Sequence, residues 1–593
     1  MRRNLARGIS MLSKSNPKVL SFRLVDTLST HIGTDHNLSC WVLLSCLARH
    51  IQVSDIHFVL DYFNEMTPEA MFNDTRLIIL VLEVLREWSK FIPPLEATVL
   101  RSRLIRSLSE GSLPSAGARG AVALASRLTV LLGGDARWAC DLMAEGERKL
   151  LQTQRKQIQG PALLAMADLA LAAERRPSVE IIDLLVEIIG TFDDLRDEEQ
   201  PLNVRACAVA ALGKLSIRER KTAEQVAPLC ARLLQDPHCP LPLKVNSMCV
   251  LADLCTRFTS IVEPMLSSVC ACLGSKDTVV RRCAAQLVTH LLVGDFLRLR
   301  GTLYFHYFPL LCDSDEAVRD IAHYYVLNCL VSRNKSILYN NFVECIFYYN
   351  GFEGHTKYAK FSVSEEEKRL FTLQGDEKRQ IRVTIYELML SHMSDIQRLN
   401  TQEKLCKETG SLVELGESGV EVLRDILFCL RRAAKPPQTR QPSEDMATRV
   451  TTNIVSQKIK LSVMYKVVPT VLRLHRRLRC CSSPLLPDLV AYASDLLRDY
   501  KTEIEDLFDA DPELMDEIKD LQVSNTSTPH PGQRSRVDNI PLGFEEDEST
   551  PLDIGDNQIG DTPLRTVAKI KNSKKRGYSR TSKVKRSLVL NVD

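Results

Sequence analysis

Two stretches of the chain share one pattern: residues 204–215 read V-R-A-C-A-V-A-A-L-G-K-L, and residues 279–292 read V-V-R-R-C-A-A-Q-L-V-T-H-L-L. Both contain an apolar residue followed by a basic one, and both continue in small and apolar residues. Between Asn203 and Leu330 this apolar-basic pair recurs at steps of 39, 37 and 38 residues, as Val204-Arg205, Leu243-Lys244, Val280-Arg281 and Val318-Arg319. Near-constant spacing predicts stacked repeats that share a continuous core.

Each repeat is predicted to be a pair of helices. Ala208, Leu212 and Leu215 recur at three- and four-residue spacing, which places them on one helical face. Ankyrin and tetratricopeptide arrays have shorter periods, about 33 and 34 residues, and their signatures are missing from this sequence. The pattern therefore favours an all-α fold, a HEAT-repeat α-solenoid. The first helices of the pairs are predicted at Ser178 to Phe192, Thr222 to Leu234, Ser260 to Leu273 and Arg298 to Leu311.

Length and composition agree with an extended helical array. The chain has 593 residues, more than the roughly 250 to 300 at which single cores stop growing. No run of eighteen apolar residues predicts a membrane span, and the amino terminus lacks the apolar stretch of a secretory signal. The eighteen cysteines never form C-x-x-C, so we expect reduced core residues in a cytosolic or nuclear protein.

Four regions are predicted along the chain. Its first helices lack the polar face of a capping repeat, so the chain is expected either to be a fragment of a longer solenoid or to have those helices covered by a partner. The regions are helical, HEAT-like repeats at 1–177, the most regular repeats at 178–333, a helical region at 334–521 with a charged insertion at 350–382 and a linker at 433–447, and a disordered tail at 522–593.

Several stretches outside the repeat pattern closely resemble one protein family, the D-type (D-three) HEAT-repeat subunits of condensin II. The resemblance covers roughly residues 203–521. The stretches are N-K-S-I-L-Y-N-N-F-V-E-C-I-F-Y-Y-N (334–350), H-T-K-Y-A-K-F (355–361), E-E-E-K-R-L-F-T-L-Q-G (365–375), K-V-V-P-T-V-L-R-L (466–474) and L-L-R-D-Y-K-T-E-I-E-D-L-F (496–508).

The resemblance implies a non-catalytic scaffold in a chromosome-organising complex of five subunits. In that complex two SMC ATPases and a kleisin form a ring, and the D-type subunit grips the kleisin and engages DNA. The implied setting is the nucleus and its chromosomes, during mitotic chromosome condensation. Family members carry a longer amino-terminal array, so this chain is similar to their carboxy-terminal half, and its tail is shorter than theirs.

The repeated basic residues are interpreted first as scaffolding. Arg205, Lys244, Arg281 and Arg319 each follow a core residue, and we expect each to bond an acid or a carbonyl of the neighbouring turn. The alternative is that they touch phosphate.

Two denser basic clusters are candidate DNA contacts. Lysine and arginine neutralise phosphates without reading sequence, and no C2H2 finger, RNP1 segment or basic zipper is present. Any DNA binding is therefore predicted to be non-specific, while a solvated helix face is the alternative. The first cluster contains Arg281, Arg282, Arg298 and Arg300, and the second contains Arg473, His475, Arg476, Arg477 and Arg479.

The tail carries two kinds of signal. Thr528, Thr550 and Thr562 each precede proline, and Thr562 has a basic residue at +3, the pattern that cyclin-dependent kinases favour. Between Arg565 and Arg586 there are ten basic residues and no acid. That segment is predicted to direct nuclear import, and more weakly to tether DNA, through Lys574, Lys575, Arg576, Lys583, Lys585 and Arg586. A proline-containing spacer and a solubilising tail are the alternatives.

Catalytic motifs are missing from the sequence. There is no G-x-x-x-x-G-K-[ST], no H-E-x-x-H and no G-x-S-x-G, so we predict no enzyme, no cofactor and no metal site. Two alternative functions remain for a HEAT array. A HEAT-type nuclear-transport receptor would bind a small GTPase, and a generic HEAT adaptor would bind neither that GTPase nor condensin subunits.

Overall fold

The computed structural model describes residues 17–500, except 52, 54, 174, 191–200, 354, 356–357, 359–363, 414–416 and 434–456. This part of the chain is helical and contains no β-strand. It divides after Val269 into two compact units. The predicted tail at 522–593 and all but the first residue of the predicted linker at 433–447 lie outside the described residues.

The first unit consists of helices joined by short turns. They are α1 (Pro17–Thr30), α2 (Asn37–Leu47), α3 (His57–Glu65), α4 (Pro68–Asn73), α5 (Thr75–Trp88), α6 (Pro94–Glu110), α7 (Ser115–Leu131), α8 (Arg137–Gln152), α9 (Gly160–Ala172), α10 (Val179–Ile189), α11 (Leu202–Ser216), α12 (Arg220–Gln235), α13 (Leu241–Arg257) and α14 (Thr259–Val262), while α15 (Leu266–Ala271) spans the division.

From α6 onward these helices form two layers. In one layer α7, α9, α11 and α13 each pack on the next, and each also packs on the helix that precedes it in sequence. Helix α11 is consequently enclosed, with all but three of its residues buried. A Cβ atom on Gly213 would lie 2.3 Å from Val250 Cγ2, so the approach of α11 to α13 requires glycine. The HEAT-repeat architecture predicted from the sequence is confirmed.

One predicted helix, Ser260 to Leu273, is wrong as a single element. The chain there forms α14, a 3-10 turn at Glu263–Met265, α15 and a second 3-10 turn at Cys272–Gly274. Pro264 lies in the first turn and has no N–H to continue an α-helix. Pro228 also lies inside a helix, but α12 continues past it.

The second unit contains shorter and less regular helices. They are α16 (Thr278–Val293), α17 (Thr302–Tyr307), α18 (Glu316–His323), α19 (Val331–Arg333), α20 (Ile337–Tyr349), α21 (Glu365–Phe371), α22 (Arg379–Ser391), α23 (Asp395–Val413), α24 (Glu417–Ala433), α25 (Val468–Cys480) and α26 (Leu486–Asp499). Wide π-helical turns at Tyr324–Leu330 and Val463–Val467 lead into α19 and α25.

The helix predicted at Arg298 to Leu311 is also interrupted. Gly301 has a φ of +61°, which favours glycine, and α17 begins directly after it. Pro309 lies in a 3-10 turn at Phe308–Cys312, where its missing N–H is tolerated. Arg298 and Arg300 therefore lie before the helix rather than on it.

The predicted charged insertion at 350–382 is partly helical. Helix α21 lies inside it, and Ser364 and Glu367 form a capping box at its start. Helix α22 begins at Arg379, before the predicted end of the insertion. Residues 356–357 and 359–363 of the insertion lie outside the described residues.

The described residues contain neither a membrane-spanning helix nor a cluster of metal ligands. None of the described helices is long and apolar enough to cross a bilayer. No group of three or more His, Cys, Asp or Glu side chains is placed there to hold a metal ion.

Candidate nucleic-acid interface

The repeated basic residues contact backbone carbonyls or acids of neighbouring turns. Arg205 is buried, and its Nε donates to the carbonyl of Ile189 at the end of α10, at 3.0 Å. Lys244 Nζ lies 3.5 Å from the carbonyl of Pro237. One Arg319 nitrogen donates to the carbonyl of Asp313 at 2.6 Å. These contacts match the scaffolding interpretation.

Arg281 makes the fullest set of such contacts. It forms a bidentate ion pair with Asp313, at 2.8 and 3.0 Å, and donates to the carbonyls of Ser275 and Lys276. The hydrogen bond that Arg281 donates to the Asp313 carboxylate raises the pKa of Arg281. The guanidinium therefore closes the junction between α16 and the turn before α18, and its side chain is only 13% exposed.

The first candidate cluster separates into two pairs. Arg282 forms an ion pair with Asp315, which also caps α18 by accepting from the Val318 N–H at 3.1 Å. The hydrogen bond from Arg282 lowers the pKa of Asp315. Arg281 and Arg282 thus serve the repeat junction, whereas Arg298 and Arg300 are exposed.

The second cluster forms a stripe on α25. Arg473, Arg476 and Arg477 are exposed at spacings of three and four residues, which places them on one face, and Arg479 flanks them. The opposite face buries five apolar residues that dock α25 on α23 and α26, namely Val468, Val471, Leu472, Leu474 and Leu478. Burial of this kind stabilises by roughly 1.5–3 kcal/mol per large side chain, so the stripe rests on a firmly held helix.

Little negative charge lies near the stripe in sequence. The segment from residue 446 to residue 487 contains no aspartate or glutamate. Arg473 donates to the carbonyl of Pro469 on its own helix, at 3.2 Å. Neither Arg473 nor Arg479 forms an ion pair within the part of the chain that the structure describes. Arg473 and Arg479 can therefore present positive charge to a phosphate backbone.

One member of the predicted second cluster is placed elsewhere. His475 is buried, because it shares the apolar face of α25 with Leu472 and Leu478. It is not part of the exposed stripe. The candidate residues Thr528, Thr550 and Thr562, together with Lys574, Lys575, Arg576, Lys583, Lys585 and Arg586, lie outside the described residues.

Sequence reasoning missed a buried polar network in the second unit. Arg382 of α22 and Asp425 of α24 form an ion pair at 2.7 Å, with exposures of 1% and 0%. Asn350 donates to the same carboxylate at 2.9 Å, and Tyr386 at 3.2 Å. Arg382 also donates to the carbonyl of Gly375 at 2.9 Å. The network joins four parts of the chain: the segment after α20, the T-L-Q-G turn at 372–375, α22 and α24.

An aromatic cluster lies beside this network. His306 stacks on Phe371 at 3.8 Å between ring centroids, and its Nε2 lies 2.9 Å from the Tyr348 hydroxyl. Burial lowers the pKa of His306 to about 4. Phe371 ends α21, so the insertion is anchored in the core. The aromatic run Y-F-H-Y-F at 304–308 was the signal that could have located this cluster.

Comparison with known proteins gives the class of this chain. Residues 243–431 match a family model described as non-SMC mitotic condensation complex subunit 1. Residues 424–527 match one described as condensin-2 complex subunit D3-like, HEAT repeats. Between residues 243 and 527 the chain is therefore similar to condensin HEAT-repeat subunits.

Individual relatives narrow the class further. The mouse condensin-2 complex subunit D3 is 24% identical over an alignment that covers 93% of this chain and 40% of the relative. Subunit D3-L of Xenopus laevis is 28% identical over 55% of this chain and 23% of the relative. Subunit CAP-D3 of Arabidopsis thaliana is 27% identical over 52% of this chain and 25% of the relative. The chain is thus similar to D3-type subunits of condensin-2, and it spans 40% or less of the length of these relatives.

Proposed function

We propose that this chain is a non-catalytic scaffold of condensin II that binds the kleisin and contacts DNA without sequence preference during mitotic chromosome condensation. The observation that carries the DNA contact is the exposed arginine stripe on α25, in a 42-residue segment without an acid. The similarity to D3-type subunits supports the assembly with kleisin and SMC chains in the nucleus. Any ATP hydrolysis would then belong to the SMC partners.

The DNA contact is tested by salt dependence. Each phosphate contact contributes a slope of about −0.9 to the logarithm of affinity against the logarithm of salt. Changing Arg473, Arg476, Arg477 and Arg479 to glutamine should therefore make the slope less negative by up to about 3 or 4. Fluorescence anisotropy with two unrelated DNA duplexes would measure the affinity from low to physiological salt.

A matched control removes the same number of charges elsewhere. Arg106, Arg137, Arg148 and Arg220 are exposed arginines of the first unit, and their change to glutamine should leave the slope nearly as it was. An equal loss in both variants would show that net charge alone drives binding and would overturn the assignment to α25. A strong preference for one duplex would overturn non-specific contact.

The scaffold role is tested by co-expression with the condensin II kleisin. A stable one-to-one complex in size-exclusion chromatography is expected. Separate elution of the two chains at micromolar concentration would contradict the proposal. Capture of SMC chains in the presence of the kleisin, and not in its absence, would support assembly through the ring.

The tail proposals rest on sequence alone. We propose that mitotic kinases modify Thr528, Thr550 or Thr562, where each phosphate would add about −1.5 to −2 charges. The basic segment that contains Lys574 and Arg586 is proposed to direct nuclear import. Phosphopeptide mapping from mitotic cells and the location of a fluorescent fusion without residues 565–586 would test these two proposals.

A further inference from the structure

The helical segment that leads into the arginine stripe carries an exposed apolar patch, formed by Leu461 and Tyr465. Tyr465 is 70% exposed, more than any other aromatic side chain that the structure describes, and Leu461 is 53% exposed. Residues 457–462 are helical and continue through the π-helical turn at Val463–Val467 into α25. The apolar patch therefore lies on the same length of helix as the arginines.

The apolar patch and the arginine stripe share one side of this helix. Steps of four residues, the spacing of neighbours on a helix surface, connect Leu461, Tyr465, Pro469 and Arg473. Pro469 is half-buried and the other three are exposed, whereas most of the residues between them are buried. From Leu461 to Arg473 this exposed side is roughly 18 Å long.

Positive charge lies on both sides of the apolar patch. Seven basic residues and no acid occur between residues 457 and 480. Lys458 and Lys460 are exposed before the patch, and Arg473 is exposed after it. Glu403 of α23 bonds this helix, but its carboxylate is already paired with Lys466 Nζ at 2.7 Å. A polyanion that ran along the helix would therefore meet cations before and after the patch.

This arrangement of side chains fits a nucleic acid better than a protein partner. Interfaces between proteins are depleted in lysine, whereas interfaces with nucleic acids are strongly positive. In proteins that bind unpaired strands, basic groups follow the backbone and aromatic rings stack on the bases. An exposed tyrosine between exposed lysines and arginines provides both kinds of contact on one helix face.

The apolar patch distinguishes between the two forms of DNA. In a duplex the bases are paired and stacked, and a side chain reaches a base face only by unstacking a step, which is costly. A duplex held by the arginines would leave Tyr465 and Leu461 in water, whereas unpaired bases would cover them. We propose that this helix face binds single-stranded DNA, with Tyr465 stacked on a base and Arg473 on a phosphate. This preference rests on the DNA contact proposed above.

Fluorescence anisotropy on the full chain tests the preference. The probe is a fluorescein-labelled strand of about 15 nucleotides without self-complementary sequence, used alone and annealed to its complement. At physiological salt, where phosphate contacts are weakened, the single strand should bind about fivefold more tightly than the duplex. The reason is that stacking on Tyr465 adds to the affinity of the unpaired strand alone.

Substitutions separate stacking from charge. Tyr465→Leu should weaken binding of the single strand about fivefold or more and of the duplex less than twofold, because leucine is apolar but cannot stack. Tyr465→Trp should keep the single-strand affinity. Tyr324, which is 40% exposed in the other π-helical turn, provides the control: Tyr324→Leu should change either affinity less than twofold. Equal thermal melts would establish that each variant keeps the fold.

A cross-link locates the contact. Irradiation of the complex with a strand that carries 5-iodouracil should join the strand to residues 461–466, the peptide that trypsin releases between Lys460 and Lys466. Mass spectrometry would identify the modified residue, and Tyr465→Leu should remove the cross-link.

Several outcomes would overturn the preference for single strands. They are equal affinity for the two forms of DNA, no loss of single-strand affinity in Tyr465→Leu, an equal loss on the duplex, and cross-links only outside 461–466. Stronger competition by a peptide of alternating Glu-Leu pairs than by unlabelled strand would assign the face to a protein instead. In each case, weaker binding after the four arginines of the stripe are changed to glutamine would leave the proposed DNA contact in place. Unchanged binding in that variant would overturn both.

Discussion

Two buried ion pairs, one in each unit, stabilise their surroundings in different ways. Lys214 of α11 donates to Asp168 of α9 at 2.7 Å, and this is the one hydrogen bond of the Lys214 side chain within the described residues. Burial lowers the pKa of Lys214 in spite of that partner. At Arg382 burial has the same tendency, but the hydrogen bond and charge of Asp425 outweigh it and raise the pKa. The Lys214–Asp168 pair adds one polar contact to a stack that apolar packing holds together, whereas the Arg382–Asp425 pair is the centre of a hydrogen-bond network.

The difference concerns how far contacts reach along the chain. In the stack, each helix packs on its neighbour in sequence and on the equivalent helix of the next repeat, so a repeat depends mainly on the next repeat. In the network, Asp425 binds Asn350, which lies 75 positions away, whereas Lys214 and Asp168 of the stack are 46 positions apart. Where the regular period ends, one buried carboxylate thus joins segments that are farther apart in sequence than the ion pair of the stack does.

The largest expected effect comes from breaking the network. Asp425→Asn leaves the Arg382 charge buried without its counter-ion, and we expect a loss of about 3–5 kcal/mol in local stability. Hydrogen-exchange mass spectrometry of peptides from α22 and α24 would measure it. Peptides from α11 serve as the internal control. Unchanged protection in α22 would mean that another acid or water replaces Asp425.

A smaller effect is expected from the buried imidazole. The pKa of His306 is about 4 in the fold and about 6.5 in an unfolded chain, so the unfolded state binds more protons between these values. Stability from this site is full above pH 6.5 and falls as the pH decreases toward 4. Between pH 7.5 and pH 5 the loss is about 2 kcal/mol.

His306→Phe removes this proton linkage and keeps a ring against Phe371. Urea midpoints of the wild type and the variant at both pH values would measure the difference. The variant should lose less stability on acidification than the wild type. Equal losses would show that His306 is not held neutral by burial.

The smallest effect is expected in the stack. Replacing a buried ion pair by apolar residues of similar size is often neutral or stabilising. Lys214→Met with Asp168→Leu should therefore change stability by less than about 1 kcal/mol. Arg382→Met with Asp425→Leu should still destabilise, because the Gly375 carbonyl, Asn350 and Tyr386 lose partners. Thermal melts of the two double variants would compare them, and equal behaviour would remove the distinction.

The sequence pattern predicted those features of the fold that depend on contacts within one repeat. The repeated basic residues showed where α11, α13, α16 and α18 begin, because each repeat uses its arginine or lysine in the same way. The breaks at Pro264 and Pro309 could have been read from the sequence, since each proline lacks an N–H. Apolar periodicity outweighed them in the prediction.

The remaining features depend on partners that no periodicity identifies. His475 lies between exposed arginines in sequence, and only the packing of α25 shows that it faces the core. The T-L-Q-G turn at 372–375 lies in a stretch that resembles the D-type subunits, but its hydrogen bond from Arg382, which itself pairs with Asp425, needs three separate segments at once.

The π-helical turn at Val463–Val467 has a consequence for the direction of the arginine stripe. Each residue of an α-helix advances the side chains by about 100°, so a wider turn offsets the angular phase of everything that follows. Ser462 lies before the π-helical turn, and its hydroxyl donates a hydrogen bond to Glu403 at 2.7 Å, whereas Arg473 lies after the turn. The offset therefore sets the direction in which the arginine stripe faces, separately from the contacts that hold the residues before the turn.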